Sequence, residues 1–209
     1  MISAEDDLVF YSNPQSRGQI VRWMLEEIGA PYRTEILDYA STMKEPAYLA
    51  INPMGKVPAI THRGAVITEG AAICAYLADA FPQAGLAPAP GDPARGAYYR
   101  WLFFAAGPLE AATSNAAFKF QAPAEGARSL GYGTLEATLD TVESALRGRS
   151  HIAGDVFSAA DLYLSAYLGF LMSFKMIEKR QAFADYVSVH ASRPAAVRAK
   201  EIDAALVGA

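Results

Sequence analysis

The chain has 209 residues, 52% of them apolar and 19% charged, and its 22 acidic against 18 basic residues give a formal net charge of −4. That length suits one large domain or two small ones with a sizeable core, and the even, mildly acidic charge argues against the basic face of a nucleic-acid binder. The single cysteine, Cys74, excludes an internal disulfide, two-cysteine redox chemistry and a cysteine-based zinc site.

Residues 1–7 hold three acids and no apolar run, which argues against a signal peptide. Residues 8–11 read as a short buried strand, followed by the polar loop Ser12-Asn13-Pro14-Gln15-Ser16. Ile20, Met24 and Ile28, flanked by Val21 and Leu25, predict a helix over 17–28 that Gly29 and Pro31 end. β-Propensity predicts a strand over 32–37, and the less regular stretch 40–52 holds one short helix. Residues 56–61 and 64–68 read as a hairpin, then 70–80 as a helix striped by Ile73, Tyr76, Leu77 and Ala80.

Residues 85–93 are rich in proline, glycine and alanine and predict a stiff linker between a first domain, 1–84, and a helical domain, 94–209. Helices are predicted over 95–120, around Leu135, Leu139, Val142 and Leu146, and over 159–176, 182–191 and 194–206. The apolar run 159–174 is broken by Asp161 and too short to span a membrane. The fold class that follows is βαβ-ββα, a mixed sheet with helices on its faces, ahead of an all-α helical bundle.

Three short stretches carry chemistry. In Asn52-Pro53-Met54-Gly55-Lys56-Val57-Pro58 a tight turn feeds a strand that opens on a proline, which removes a ladder donor. A cis Val57-Pro58 bond would turn the Val57 backbone groups toward an extended peptide, although most X–Pro bonds are trans. In Thr68-Glu69-Gly70 a carboxylate precedes a helix N-terminus, whose free N–H groups suit a ligand carboxylate; the alternative is that Thr68 or Glu69 simply caps its own helix. In Phe157-Ser158-Ala159-Ala160-Asp161-Leu162, Ser158 and Asp161 form a capping box and Phe157 and Leu162 a hydrophobic staple, a purely structural device.

Taken in order, Ser16-Arg17, Leu25-Glu26-Glu27-Ile28-Gly29-Ala30-Pro31-Tyr32, the Asn52 to Pro58 turn, Thr68-Glu69-x-x-Ala72-Ile73 and Gly154-Asp155-x-Phe157-Ser158-x-Ala160-Asp161 resemble the cytosolic glutathione transferases. The resemblance implies a thioredoxin-like first domain and glutathione as co-substrate, with no metal. It implies a cis Val57-Pro58 bond, Val57 pairing with the cysteinyl backbone of glutathione, and Glu69 with the Gly70 N–H holding the γ-glutamyl end. Gly70 departs from the hydroxyl residue usual there, so one contact is lost while the backbone donor remains. Lys44 and Lys56 are candidates for the glycyl carboxylate.

Activation of the thiol calls for a hydroxyl or a helix N-terminus beside sulfur. Ser16 is favoured because it precedes the helix start, with Tyr11 and Ser12 as alternatives and the Asn13 amide as a fourth. Cys74, inside a helix, reads as a buried inert thiol. His62, His151 and His190 are scattered in sequence and make no ligand pattern. Tyr98, Trp101, Phe104 and Phe118 are candidates for an apolar pocket for a second, electrophilic substrate, although their helical spacing also fits a core.

The resemblance therefore implies a cytoplasmic homodimeric enzyme of detoxification type, acting by conjugation or by glutathione-dependent peroxide or disulfide reduction, with no nucleic-acid or membrane partner. The alternatives are a non-catalytic binder of glutathione or an apolar ligand, and a stress-regulator adaptor on the same fold.

Overall fold

The computed structural model describes residues 8–123 and 125–207, so the acidic stretch 1–7 lies outside the described residues. Its internal packing divides the chain into two units. One holds the residues up to Ala84 together with the segment from Arg193 onward, and the other is Gly85–Ser192.

The first unit is built from β1 (Val9–Ser12), α1 (Gly18–Ile28), β2 (Arg33–Ile36), a 3₁₀ turn (Thr42–Lys44), the single-turn α2 (Pro46–Leu49), β3 (Ala59–His62), β4 (Ala65–Thr68) and α3 (Gly70–Ala80). The sheet order is β2-β1-β3-β4. β1 runs parallel to β2 and antiparallel to β3, which pairs antiparallel with β4. This is the expected thioredoxin-like βαβ-ββα arrangement. α1 buries Ile20, Val21, Met24, Leu25 and Ile28, and stops where Gly29 takes φ 64 and returns its N–H to the Leu25 carbonyl. α3 buries Ile73, Leu77 and Ala78, and packs against α1.

Local chemistry shifts several boundaries. β3 begins at Ala59, not at residue 56, because Pro58 has no N–H for the ladder. The hairpin closes through two residues of positive φ, Arg63 at 51 and Gly64 at 75, the primed-type turn that matches strand twist. The single helix expected over 40–52 is instead a 3₁₀ turn and α2, since Pro46 opens a new helix at its first position.

The second unit contains α4 (Ala94–Phe104), α5 (Glu110–Ala117), α6 (Leu135–Leu146), α7 (Ala159–Ser173) and α8 (Gln181–Ala191). The expected helix over 95–120 is interrupted at Ala105–Leu109 by a π-helical turn containing Pro108. Proline lacks the donor and clashes one turn back, and a widened turn absorbs both defects. α7 is the core helix, with Ala159, Leu162, Leu164, Leu168 and Leu171 all buried. The linker expected over 85–93 is anchored at its start: Leu86 is buried and its carbonyl accepts the Ala159 N–H at 2.8 Å.

α9 (Pro194–Val207) is the largest departure. Its sequence places it in the helical half, yet it packs against α1 in the first unit. The buried Arg22 of α1 donates Nε to Asp203 at 3.0 Å and Nη1 to Thr34 Oγ1 at 2.7 Å. Arg193 grips Glu27 through two bonds of 2.6 and 2.9 Å. Burial pushes the Asp203 carboxyl above its ordinary range, with Arg22 opposing. Among the described residues no helix is long and apolar enough to cross a membrane.

Candidate active site

Strand register gathers the candidate residues at one end of the sheet. Tyr11, near the end of β1, lies opposite Ala59, the first residue of β3. Ala59 lies opposite Thr68, the last residue of β4. The loop after β1, the Val57-Pro58 step before β3 and the Glu69-Gly70 step after β4 therefore all leave the sheet at the same end.

The loop after β1 is held by its own polar groups. Asn13 is buried; its amide donates to the Leu37 carbonyl at 2.9 Å and its Oδ1 accepts the Gln15 N–H at 2.9 Å. The Ser16 hydroxyl donates to the Asn13 carbonyl at 2.6 Å and accepts the Gly18 N–H at 2.9 Å. Ser16 thus precedes the N-cap, Arg17, and takes the first N–H of α1; the residue is half-buried. Ser12 is buried, at 1% exposure, and bonds only weakly to the Asn13 carbonyl, at 3.4 Å. A Cβ on Gly18 would lie 2.1 Å from Ser12 Oγ and 2.9 Å from Ser16 Oγ, so only glycine lets the helix start this close to both hydroxyls. Tyr11 is half-buried and its ring lies 5.7 Å from that of Tyr48, beside a cluster of Met43, Tyr48 and Ala59.

The Val57-Pro58 bond is cis. Val57 lies outside the ladder, which begins at Ala59. Two side chains outside the expected site fix the approach to it: the Tyr48 hydroxyl and the Asn52 amide both donate to the Lys56 carbonyl, at 2.5 and 2.8 Å. Their spacing of four residues, across the end of α2, was the available signal. Burial pushes the Tyr48 hydroxyl up to about 12, so it stays a donor at neutral pH. Lys44 donates to the Gly55 carbonyl at 2.7 Å, which fixes its ammonium on this turn. Gly55 has φ 56, and a Cβ there would lie 2.8 Å from Lys44 Nζ and 2.9 Å from the Met43 carbonyl. Lys56 is exposed.

Glu69 stands at φ 66, ψ 114, a conformation side chains rarely adopt, immediately before the first residue of α3, Gly70. Its side chain is exposed and makes no capping bond to α3. The reading in which Glu69 merely caps its own helix therefore fails. The strained backbone carries an unengaged carboxylate beside the N–H groups of a helix start.

The remaining candidates lie elsewhere. Cys74 is fully buried and its thiol is pushed up to about 12 by burial, which fits an inert role. Tyr98 and Trp101 are core residues of the second unit, at 0% and 3% exposure. Phe104 packs edge-on against Trp101 at 5.3 Å, and Phe118, just past α5, is 75% exposed. Ser158 and Asp161 form the expected capping box. Phe157, expected to staple α7, stacks on His190 at 5.3 Å. Two of the three histidines that look scattered in sequence meet in space: His151 Nδ1 and His190 Nε2 are 3.3 Å apart, beside Asp161.

Residues 16–80 match the family profile of the glutathione S-transferase N-terminal domain. A glutathione S-transferase of Xanthomonas campestris is 31% identical over 150 residues, covering 69% of this chain and 71% of that protein. Among solved structures, a glutathione transferase of Methylococcus capsulatus superposes with TM-score 0.78 at 30% identity, covering 94% of this chain and 98% of that one. A sphingomonad glutathione S-transferase, solved in complex with glutathione, gives TM-score 0.74 at 30% identity with the same coverage. By sequence and by fold, the chain belongs to the glutathione S-transferase family.

Proposed function

We propose that this transferase binds glutathione across the end of the sheet and joins its sulfur to small electrophiles. The observation that carries the reading is the convergence at that end of the α1 N-terminus, the cis Val57-Pro58 step and the strained Glu69 before α3. Val57 offers its backbone to the cysteinyl unit. Glu69 and the Gly70 N–H take the charged γ-glutamyl end, with Lys44 or Lys56 for the glycyl carboxylate.

The sulfur then falls to the α1 N-terminus, where the helix dipole and a donor favour thiolate over thiol. Ser16 is the proposed donor, because its hydroxyl already sits at the helix start and can turn from the Asn13 carbonyl toward sulfur. Tyr11, Ser12 and Asn13 are the alternatives at the same place. With an activated aryl halide, the thiolate forms a C–S bond, the carbon–halogen bond breaks, halide leaves and the thiol proton passes to water. Within the second unit, Phe104 and Phe118 retain surface on which an apolar substrate could rest, whereas Tyr98 and Trp101 are core residues. A homodimer, cytoplasmic location and a detoxification role complete the proposal, supported by family membership.

The test is retention on immobilised glutathione and release by free glutathione. Wild type should be retained and Glu69→Ala should elute early. Passage of both straight through the column would reject the site. Light scattering at micromolar concentration tests the dimer, and a monomer mass would reject it.

A further inference from the structure

We propose that His151, His190 and Asp161 form a binding site for a divalent cation of the zinc type, within the second unit and separate from the glutathione site. The three donor atoms, one ring nitrogen from each histidine and a carboxylate oxygen, lie within 4.8 Å of one another.

Hydrogen-bond logic fixes which atoms face inward. His190 Nδ1 lies 2.9 Å from the Tyr186 carbonyl, which can only accept, so Nδ1 carries the proton. The neutral ring then presents a lone pair at Nε2, and that atom faces His151 Nδ1 at 3.3 Å. A histidine whose outer N–H is held by a backbone carbonyl is the usual form of a metal ligand, because the bond sets both tautomer and ring angle. The ring is fixed further by stacking on Phe157 at 5.3 Å and by the edge contact with Tyr186 at 4.3 Å.

The spacing fits. Two nitrogens about 2.05 Å from a tetrahedral metal lie roughly 3.3 Å apart, the separation found between His151 and His190. Asp161 Oδ1 is 3.9 Å from His151 Nδ1 and the three donor atoms start within 4.8 Å of one another, so closing the face calls for the part-exposed His151 ring to turn toward the fixed carboxylate. That oxygen is fully buried and already positioned by the Ile152 N–H at 2.6 Å and the Tyr186 hydroxyl at 2.8 Å. Its other oxygen is held by the Ser158 N–H and hydroxyl at 2.9 and 2.8 Å. The carboxylate is thus held rigidly beside the two ring nitrogens.

His151 supplies access, since 22% of its side-chain surface is exposed. Without metal it donates its Nδ1 proton to His190. On binding, the Nδ1 proton must leave so that Nδ1 can ligate, and the ring then carries its proton on Nε2.

The experiment uses the tag-free full chain, stripped with chelator and titrated calorimetrically with zinc chloride near neutral pH, without glutathione. One equivalent should bind at micromolar concentration or tighter. Nitrogen-15 spectra should show His151 Nδ1 and His190 Nε2 moving on binding. His151→Gln should weaken binding at least about 100-fold while leaving retention on glutathione unchanged. Absence of zinc binding, binding of equal strength in His151→Gln, or zinc that leaves both ring signals in place would overturn the proposal. Should the variant not fold, the wild-type ring signals decide alone.

Discussion

Two polar centres in this molecule are built in opposite ways. The sheet end proposed to receive glutathione is assembled from short turns built largely on neighbours in sequence: Asn13 with Gln15 and Ser16, Asn52 with Met54 and Lys56, and Glu69 next to Gly70. The centre around Asp161 gathers residues 151, 152, 158, 186 and 190 onto a single carboxylate and its neighbours. In the first, carbonyls, N–H groups and a charged side chain are left facing outward, and the backbone bears strain at Glu69. In the second, both carboxylate oxygens are fully engaged and buried. The first keeps its proposed binding groups apart from the fold's own bonds, whereas the second holds the fold through Asp161 and leaves the facing ring nitrogens of His151 and His190, 3.3 Å apart, to carry the proposed cation site.

Substitution at Asp161 tests that contrast with the largest expected effect. Asp161→Ala leaves the Ile152 and Ser158 N–H groups and the Tyr186 hydroxyl unpaired in the interior. It should lower the unfolding free energy by about 3–5 kcal/mol. A loss under about 1 kcal/mol in urea denaturation would mean the network is not the anchor described.

Ser16→Ala should come next. Its hydroxyl is proposed to act on sulfur alone, so turnover on an activated aryl halide should fall roughly tenfold or more, as for loss of a pKa unit of thiol acidification. Affinity for glutathione should change much less. The ultraviolet absorbance of the bound thiolate should appear at higher pH in the variant, because the thiol loses the donor that stabilised its charged form. Loss of the bond to the Gly18 N–H should also cost about 0.5–1.5 kcal/mol. Unchanged turnover in Ser16→Ala, with loss in Tyr11→Phe, would transfer the role to Tyr11.

Glu69→Gly should move stability and binding in opposite directions. Glycine removes the cost of φ 66, of order 1 kcal/mol, while the lost carboxylate releases the γ-glutamyl end. A variant more stable than wild type yet not retained on glutathione would show that strain is kept for the ligand. The smallest effect is expected at Cys74. With its thiol pushed up to about 12, the thiolate fraction at pH 8 is on the order of 10⁻⁴. Native protein should resist thiol reagents that label it at once in denaturant, and Cys74→Ala should keep full turnover.

The same contrast explains what could be read from the sequence. Local centres were legible because their physics is local: Gly29 after an amphipathic stripe, Pro58 at a strand start, Ser158 three residues before Asp161. The βαβ-ββα order followed from such signals. Long-range facts were not. Nothing in the periodicity of α9 says that Asp203 meets Arg22, 181 residues away in sequence. His151 and His190 are 39 residues apart and show no ligand spacing. The π-helical turn at Pro108 was masked by the strong helical pattern on both sides of it. Tyr48 and Asn52 lie in a segment without regular periodicity, and that irregularity lets both side chains reach the Lys56 carbonyl.

On the proposed reading, glutathione binds at the end of the sheet and at no other surface. A crystal structure of the protein soaked with glutathione tests it most directly. The cysteinyl backbone should pair with Val57, the γ-glutamyl carboxylate should meet the Gly70 N–H, and the sulfur should lie within hydrogen-bond distance of Ser16 Oγ. Glutathione bound away from Val57 and Glu69, or an empty sheet end at saturating ligand, would contradict the account.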